Sequence, residues 1–296
     1  MNMMRGAQIA LSFSLLLSFG VNCGSAKAEQ YRHADVEAAI KGLSSSDDGE
    51  RKSAGYHLSE MGPIAKDAVP NLIQLLINDT SPGVKGEACN ALGHIGADAA
   101  PAVPAVIAFL QSSDGGYERT YAASALGDIG KQPEQSVPIL IVALQKDPEP
   151  VVRQMAARAL GVFGADAKSA VPALIESIKT GNKDLRESAA YGLERIPGAA
   201  KDVPALTALL SDDIDSARIA AAKSIGGAGS EAVGAVPQLI VLLTDKNVDV
   251  RSAGAKGLGG IGPDAKQAIP ALKLALKDAE ISNEARDAIA RINDKK

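Results

Sequence analysis

Apolar residues recur along most of this chain at helical spacing, and the pattern itself repeats. In Val152-Arg153-Gln154-Met155-Ala156-Ala157-Arg158-Ala159-Leu160 they fall at i, i+3, i+4 and i+7, as on a helix with one buried face. A second stripe follows each Val-Pro or Ile-Pro pair; around Pro138 it takes Val137, Leu140, Ile141 and Leu144. These prolines stand at 70, 104, 138, 172, 204, 237 and 270, in steps of 34, 34, 34, 32, 33 and 33. A basic ladder runs in step with them through Arg51, Lys85, Arg119, Arg153, Arg186, Arg218 and Arg251, each followed seven residues later by Leu or Ile. Two ladders in register predict seven units. In each unit helix A begins near the basic residue. Helix B begins at the Pro, whose missing N–H suits a first helical turn.

Helix A is predicted to end at a Gly-rich turn such as Gly93-His94-Ile95-Gly96 or Gly127-Asp128-Ile129-Gly130. The ends differ: Asp35 to Leu43 reads as a lone helix B and Ile281 to Ile292 as a lone helix A. Four residues after each basic residue stand Gly55, Cys89, Ala123, Ala157, Ala190, Ala222 and Ala255, so neighbouring A helices should approach closely and Cys89 should be a small buried residue. The predicted class is all-α: a right-handed α-solenoid of about seven two-helix repeats with a half-repeat helix at each end. Unit five departs, with Asn182 four residues before Arg186 and Arg195-Ile196-Pro197 at the turn, so a local bend is expected near residues 182–204.

Val152-Arg153, Ala159-Leu160-Gly161-Val162-Phe163-Gly164, Ala170-Val171-Pro172-Ala173-Leu174-Ile175 and their counterparts resemble HEAT repeats. Within them they resemble the short phycobilisome-lyase-like HEAT class, over about residues 31–293. Units of 32–34 residues are shorter than the roughly 40–47 of ordinary HEAT units. The resemblance implies that B helices line a concave inner face. It also implies that an Asp before helix A pairs with the Arg of its own unit, the pairs stacking along the solenoid. The structural pairs expected are Asp147–Arg153, Asp212–Arg218 and Asp245–Arg251, with Asp79–Lys85 a weaker version.

At the start of the chain, Arg5, the apolar run Ile9–Val21 and Ala26-Lys27-Ala28 read as a secretory signal peptide over residues 1–28. The mature chain, 29–296, is then a single solenoid domain, exported to a periplasm or the extracellular space, with no stable membrane insertion once the signal is cleaved. Cys23 admits a minor alternative, a lipid anchor, although Gly20-Val21-Asn22 fits a lipobox poorly. Cys89 is the one cysteine left in the mature chain, so no internal disulfide can form.

Composition narrows the function classes. A chain 46% hydrophobic with a net charge of −4 is too apolar for disorder and lacks the basic footprint of a nucleic-acid binder. Gly257-Leu258-Gly259-Gly260-Ile261-Gly262 matches the dinucleotide fingerprint, but it follows a helix where that motif needs a strand. Asp245-Lys246-Asn247-Val248-Asp249 begins like a calcium loop, then has Val250 where glycine is needed and no closing Glu. Asn78-Asp79-Thr80 is a glycosylation sequon, meaningful only in a eukaryotic secretory pathway. His33, His57 and His94 show no paired ligand spacing, and none precedes Glu as in the iron-binding HEAT-fold deoxyhypusine hydroxylases. No metal, cofactor or catalytic set is expected.

What remains is surface. Positions one, four and eight after each Pro should face the inner side, which places Gln74, Ile139, Val142, Glu176, Gln238, Val241 and Leu274 there, with Lys146, Asp212, Asp245 and Asp278 among those at position eight. Apolar residues opposite the core suggest a protein or peptide partner. The leading expectation is an exported, non-catalytic scaffold or adaptor. The alternatives are an accessory subunit of a bilin-lyase-like enzyme, which the resemblance implies, and a structural envelope component.

Overall fold

The computed structural model describes residues 33–198 and 200–294; the signal-peptide reading and Cys23 lie outside them. Sixteen α-helices and no strand occur among the described residues. A lone helix, α1 (His33–Gly42), opens the fold. Seven A/B pairs follow: α2/α3 (Asp48–Met61, Val69–Asn78), α4/α5 (Pro82–Ile95, Val103–Gln111), α6/α7 (Arg119–Ile129, Pro133–Lys146) and α8/α9 (Pro150–Val162, Val171–Thr180). The last three are α10/α11 (Lys183–Leu193, Val203–Leu209), α12/α13 (Asp215–Gly227, Val236–Leu242) and α14/α15 (Val248–Ile261, Ile269–Ala275). A lone helix, α16 (Ser282–Asn293), closes the stack. The predicted repeat count and both half-repeats are therefore observed.

Each A helix packs on the A helix of the next unit and on the B helix of the unit before it. The core follows the two ladders. The residues seven after the basic position (Leu58, Leu92, Leu126, Leu160, Leu193, Ile225 and Leu258) are all fully buried. So are those two after each Pro: Leu72, Val106, Leu140, Leu174, Leu206, Leu239 and Leu272. A unit alone would leave these faces wet; stacking joins them into one continuous core.

Where A helices meet, backbone nearly touches backbone. A Cβ on Gly161 of α8 would lie 2.8 Å from the Cα of Gly192 in α10, and one on Gly260 of α14 would lie 2.6 Å from the carbonyl oxygen of Gly226 in α12. Cys89 occupies the same kind of position and is fully buried, and burial pushes its thiol pKa well up.

Two features differ from the sequence-based expectation, and a third is the departure expected of unit five. Between A and B most units insert a seven-residue 3-10 helix, as in Gly62–Ala68 and Gly262–Ala268. Its mark is an alanine pair three residues apart, Ala65/Ala68, Ala99/Ala102, Ala167/Ala170, Ala232/Ala235 and Ala265/Ala268, every member fully buried. A 3-10 helix places i and i+3 on one line, so that spacing gives it a single buried edge. Second, helix α7 starts at Pro133, not at Pro138, which lies inside it. Gln132 takes a left-handed conformation (φ 54°) and its amide donates to the Ala100 carbonyl at 2.9 Å, so the turn closes early.

Third, unit five lacks the positive-φ glycine that ends helix A in the other six units. There the chain passes through Pro197 and Gly198, whose N–H donates to the Ser224 carbonyl at 2.9 Å. Pro197 sits against Gly227, and the α10–α12 contact is the thinnest between successive A helices. One described stretch, Pro82–Gln111, has the length and hydropathy of a membrane span; it is the α4/α5 pair, with 44% of its apolar window buried inside the stack.

Candidate functional site

The arginine ladder is built, but its rungs join different partners from those expected. Arg119 places Nε and Nη2 at 3.0 and 2.9 Å from the carboxylate of Asp147, in the next unit. Arg51 does the same to Asp79 at 2.6 and 3.1 Å. Arg186 reaches Asp212 at 2.8 Å, Arg218 reaches Asp245 at 3.0 Å, and Arg251 reaches Asp278 at 2.8 Å. The expected in-unit pairs Asp147–Arg153, Asp212–Arg218 and Asp245–Arg251 do meet, but through the aspartate's backbone carbonyl, at 2.6, 2.8 and 3.0 Å from Nη1. No Asp79–Lys85 ion pair forms among the described residues; the Asp79 carboxylate is taken by Arg51.

The reason is local. Each of these aspartates turns its carboxylate to accept the N–H two residues on, as Asp147 does from Glu149 at 2.9 Å and Asp245 from Asn247 at 2.9 Å. So held, the carboxylate faces the preceding unit while the carbonyl faces its own. A signal in the sequence did carry this offset: Arg51 has Ser45 six residues before it, and Asp278 has Glu284 six residues after it. A ladder that starts with an unpaired Arg and ends with an unpaired Asp is shifted by one unit. Asn182, out of step with the aspartates, serves as a helix cap, accepting the Leu185 N–H at 3.0 Å.

Two rungs have no carboxylate partner among the described residues: the offset of 27–28 positions that pairs Arg251 with Asp278 and Arg119 with Asp147 falls on Ser112 and Ser113 for Lys85, and on Thr180 and Gly181 for Arg153.

The residues expected on the inner face at positions one and four all lie on B helices. Gln74, Val142, Glu176, Gln238, Val241 and Leu274 are all exposed. Val142, Val241 and Leu274 are exposed by 47%, 67% and 66%, unusually high for apolar side chains. Ile139 differs: it is half-buried and packs against the core. Ile77, exposed by 60% at the end of α3, adds an apolar position that the sequence reading passed over.

Shallow depressions lie along this face where one B helix follows another. One of about 530 Å³ is lined by Arg119, Ile139, Val142, Lys146 and Asp147 among others, and one of about 510 Å³ by Lys146, Arg153, Glu176, Thr180 and Asn182 among others. On the A-helix side another, of about 560 Å³, includes Tyr191, whose ring is covered by the Arg195 guanidinium at 3.6 Å. No group of three or more His, Cys, Asp or Glu is placed to hold a metal ion among the described residues. His33, His57 and His94 are exposed, and His94 Nδ1 lies 2.9 Å from the carbonyl of Asn90 in its own helix.

The family model for HEAT repeats matches residues 36–127, 103–194, 137–226 and 203–291, nearly the whole solenoid. The chain is a HEAT-repeat protein. Solenoids of this family generally serve as protein-interaction scaffolds. The match is to HEAT repeats as a whole and does not single out the phycobilisome-lyase-like class. No curated protein sequence matches this HEAT chain. An engineered protein of solved structure is 25% identical over 87% of this chain and 78% of its own, with a TM-score of 0.64. YibA of Escherichia coli is 20% identical over 94% of this chain and 99% of its own, with a TM-score of 0.59. A mutant of Kap121p is 16% identical over 91% of this chain, which spans 35% of that protein, with a TM-score of 0.50. The last two show a common HEAT fold.

Proposed function

We propose that this HEAT-repeat chain is an exported, non-catalytic scaffold that holds a protein or peptide partner along its B-helix face, the concave side of the solenoid. The observation that carries the reading is the exposure of Val142, Val241 and Leu274 on a face whose opposite side is the core. Apolar side chains left wet at the same repeat position in three units favour a partner that covers them. The alanines at neighbouring positions, such as Ala108 and Ala208, leave a floor low enough for an extended segment or a helix. Export rests on Arg5, the apolar run Ile9–Val21 and Ala26-Lys27-Ala28.

The test is crosslinking of the wild-type chain in its native exported fraction beside a Val142→Glu/Val241→Glu/Leu274→Glu variant. Ile139 is left alone because a charge there would strike the core. The expected result is one dominant partner captured by the wild type and lost by the variant, with unchanged far-UV circular dichroism. Equal capture by a folded variant overturns the assignment of the face.

A further inference from the structure

We propose that Arg153 anchors an acidic side chain of the bound segment: a partner's aspartate or glutamate carboxylate completes the rung that residues 180–182 leave open. This rests on reading the B-helix face as the partner site, and names the chemistry one part of it selects.

Five arginines in this chain show what the position is built to hold, each with a carboxylate from the next unit within 3.0 Å. Arg153 keeps only the other half of that arrangement. Its Nη1 donates to the carbonyls of Asp147 and Pro148 at 2.6 and 3.2 Å. Its Nε and Nη2 have no acceptor among the described residues. The Asp147 carbonyl fixes the guanidinium as the corresponding carbonyls fix Arg218 and Arg251, so the two free donors are already oriented. A carboxylate received by such a fork is held by two parallel charge-assisted hydrogen bonds.

The space beside Arg153 is also there, the depression of about 510 Å³ between α7 and α9. Lys146 on its rim adds a second positive charge, Thr180 and Asn182 add polar side chains, and Glu176 is its one acid. Lys146 also lines the neighbouring depression that contains Val142. A segment with an acidic residue beside an apolar one therefore meets Arg153 and Val142 together. Lys85, the other rung without a carboxylate, lines none of these depressions.

The probe is a fluorescein-labelled peptide of alternating Leu and Asp, beside its Leu/Asn counterpart, read by fluorescence polarisation with the full chain. Arg153→Gln should weaken the acidic peptide about tenfold and leave the Asn peptide unchanged. Thr180→Asp stands six residues before Arg186, as Asp147 stands before Arg153. It should fill the rung from within, giving the same loss while raising the melting temperature. Val142→Glu should weaken both peptides. If both Arg153→Gln and Thr180→Asp bind the acidic peptide like the wild type while Val142→Glu does not, the carboxylate site falls and the face stands. If Val142→Glu also binds normally, the face falls with it. Free succinate displacing the probe as well as unlabelled peptide does overturns the assignment to a bound segment.

Discussion

Arg119 and Asp147 stand 28 positions apart and pair through two hydrogen bonds of 3.0 and 2.9 Å, with both side chains more than nine-tenths buried. The pair rivets unit three to unit four. Arg153 contacts the same aspartate, but only at its carbonyl. The two arginines occupy equal places in the repeat and should differ sharply in worth. Arg119→Met leaves a buried carboxylate without its counter-charge and should cost about 3–5 kcal/mol. Arg153→Met removes hydrogen bonds to backbone carbonyls that water can replace and should cost about 1.5 kcal/mol. Urea unfolding of the two variants measures the difference. The double variant Arg119→Met/Asp147→Leu should regain much of the loss, because removing both charges ends the desolvation penalty.

Asp79 makes the first rung pH-sensitive. Burial alone would raise its pKa, but the hydrogen bonds from Arg51 and the Ser81 N–H, with the charges of Arg51 and Lys85, outweigh burial and hold it below the ordinary 3.8. A pKa lowered by folding means that the unfolded chain takes up the proton first. The stabilisation is therefore fully present above the unfolded value and is lost as pH falls through the lower, folded one. Asp79→Asn should lower the urea midpoint near neutral pH and flatten its decline below about pH 4. A variant that loses stability in parallel with the wild type through that range would contradict this.

The repeat frame was legible because both periodicities, 3.6 within a helix and about 33 between units, are written in single residue types. Leu160 and Leu174 are buried for reasons the sequence states directly. The 3-10 connections were less visible, since Ala99 and Ala102 are too small to stand out against an alanine-rich background. The ladder's residues were legible and its pairing was not. Spacing along the chain gives Asp147 six residues before Arg153, but the direction of the Asp147 carboxylate depends on the N–H of Glu149. Val142 and Ile139 illustrate the limit on the surface. Both are apolar and three residues apart, and only the folded packing decides that one is half-buried and the other exposed.

Close helix approach predicts opposite outcomes for two glycine substitutions. Gly192 sits mid-stack, and a Cβ there would run into the Ala157 carbonyl oxygen of α8. Alanine normally gains about 1 kcal/mol over glycine inside a helix, but Gly192→Ala must push α8 and α10 apart and should lower the melting temperature. Gly234 lies in a connection between helices, and a Cβ there meets nothing within 4 Å. Gly234→Ala should be neutral or stabilise by about 0.4–1 kcal/mol, because it restricts only the unfolded chain. Thermal melts of the two variants side by side provide the check.

The same packing controls the chemistry of Cys89. Its thiol is fully buried and its pKa is pushed well up, so the thiolate that reacts with disulfide reagents is scarce and unreachable. In a Cys23→Ser background, Ellman's reagent should find almost no thiol in the folded protein and one per chain in denaturant. The labelling rate under native conditions should be that of a free thiol reduced by the small fraction of time the α2–α4–α6 stack is open. Units one and three hold Gly55 and Ala123 at the equivalent position. Cys89→Ala should therefore cost less than about 1.5 kcal/mol, whereas Cys89→Leu should cost about 1–3 kcal/mol by overpacking. Rapid labelling of the native chain would show that the A helices part at this point, and would count against the stack as a continuous core.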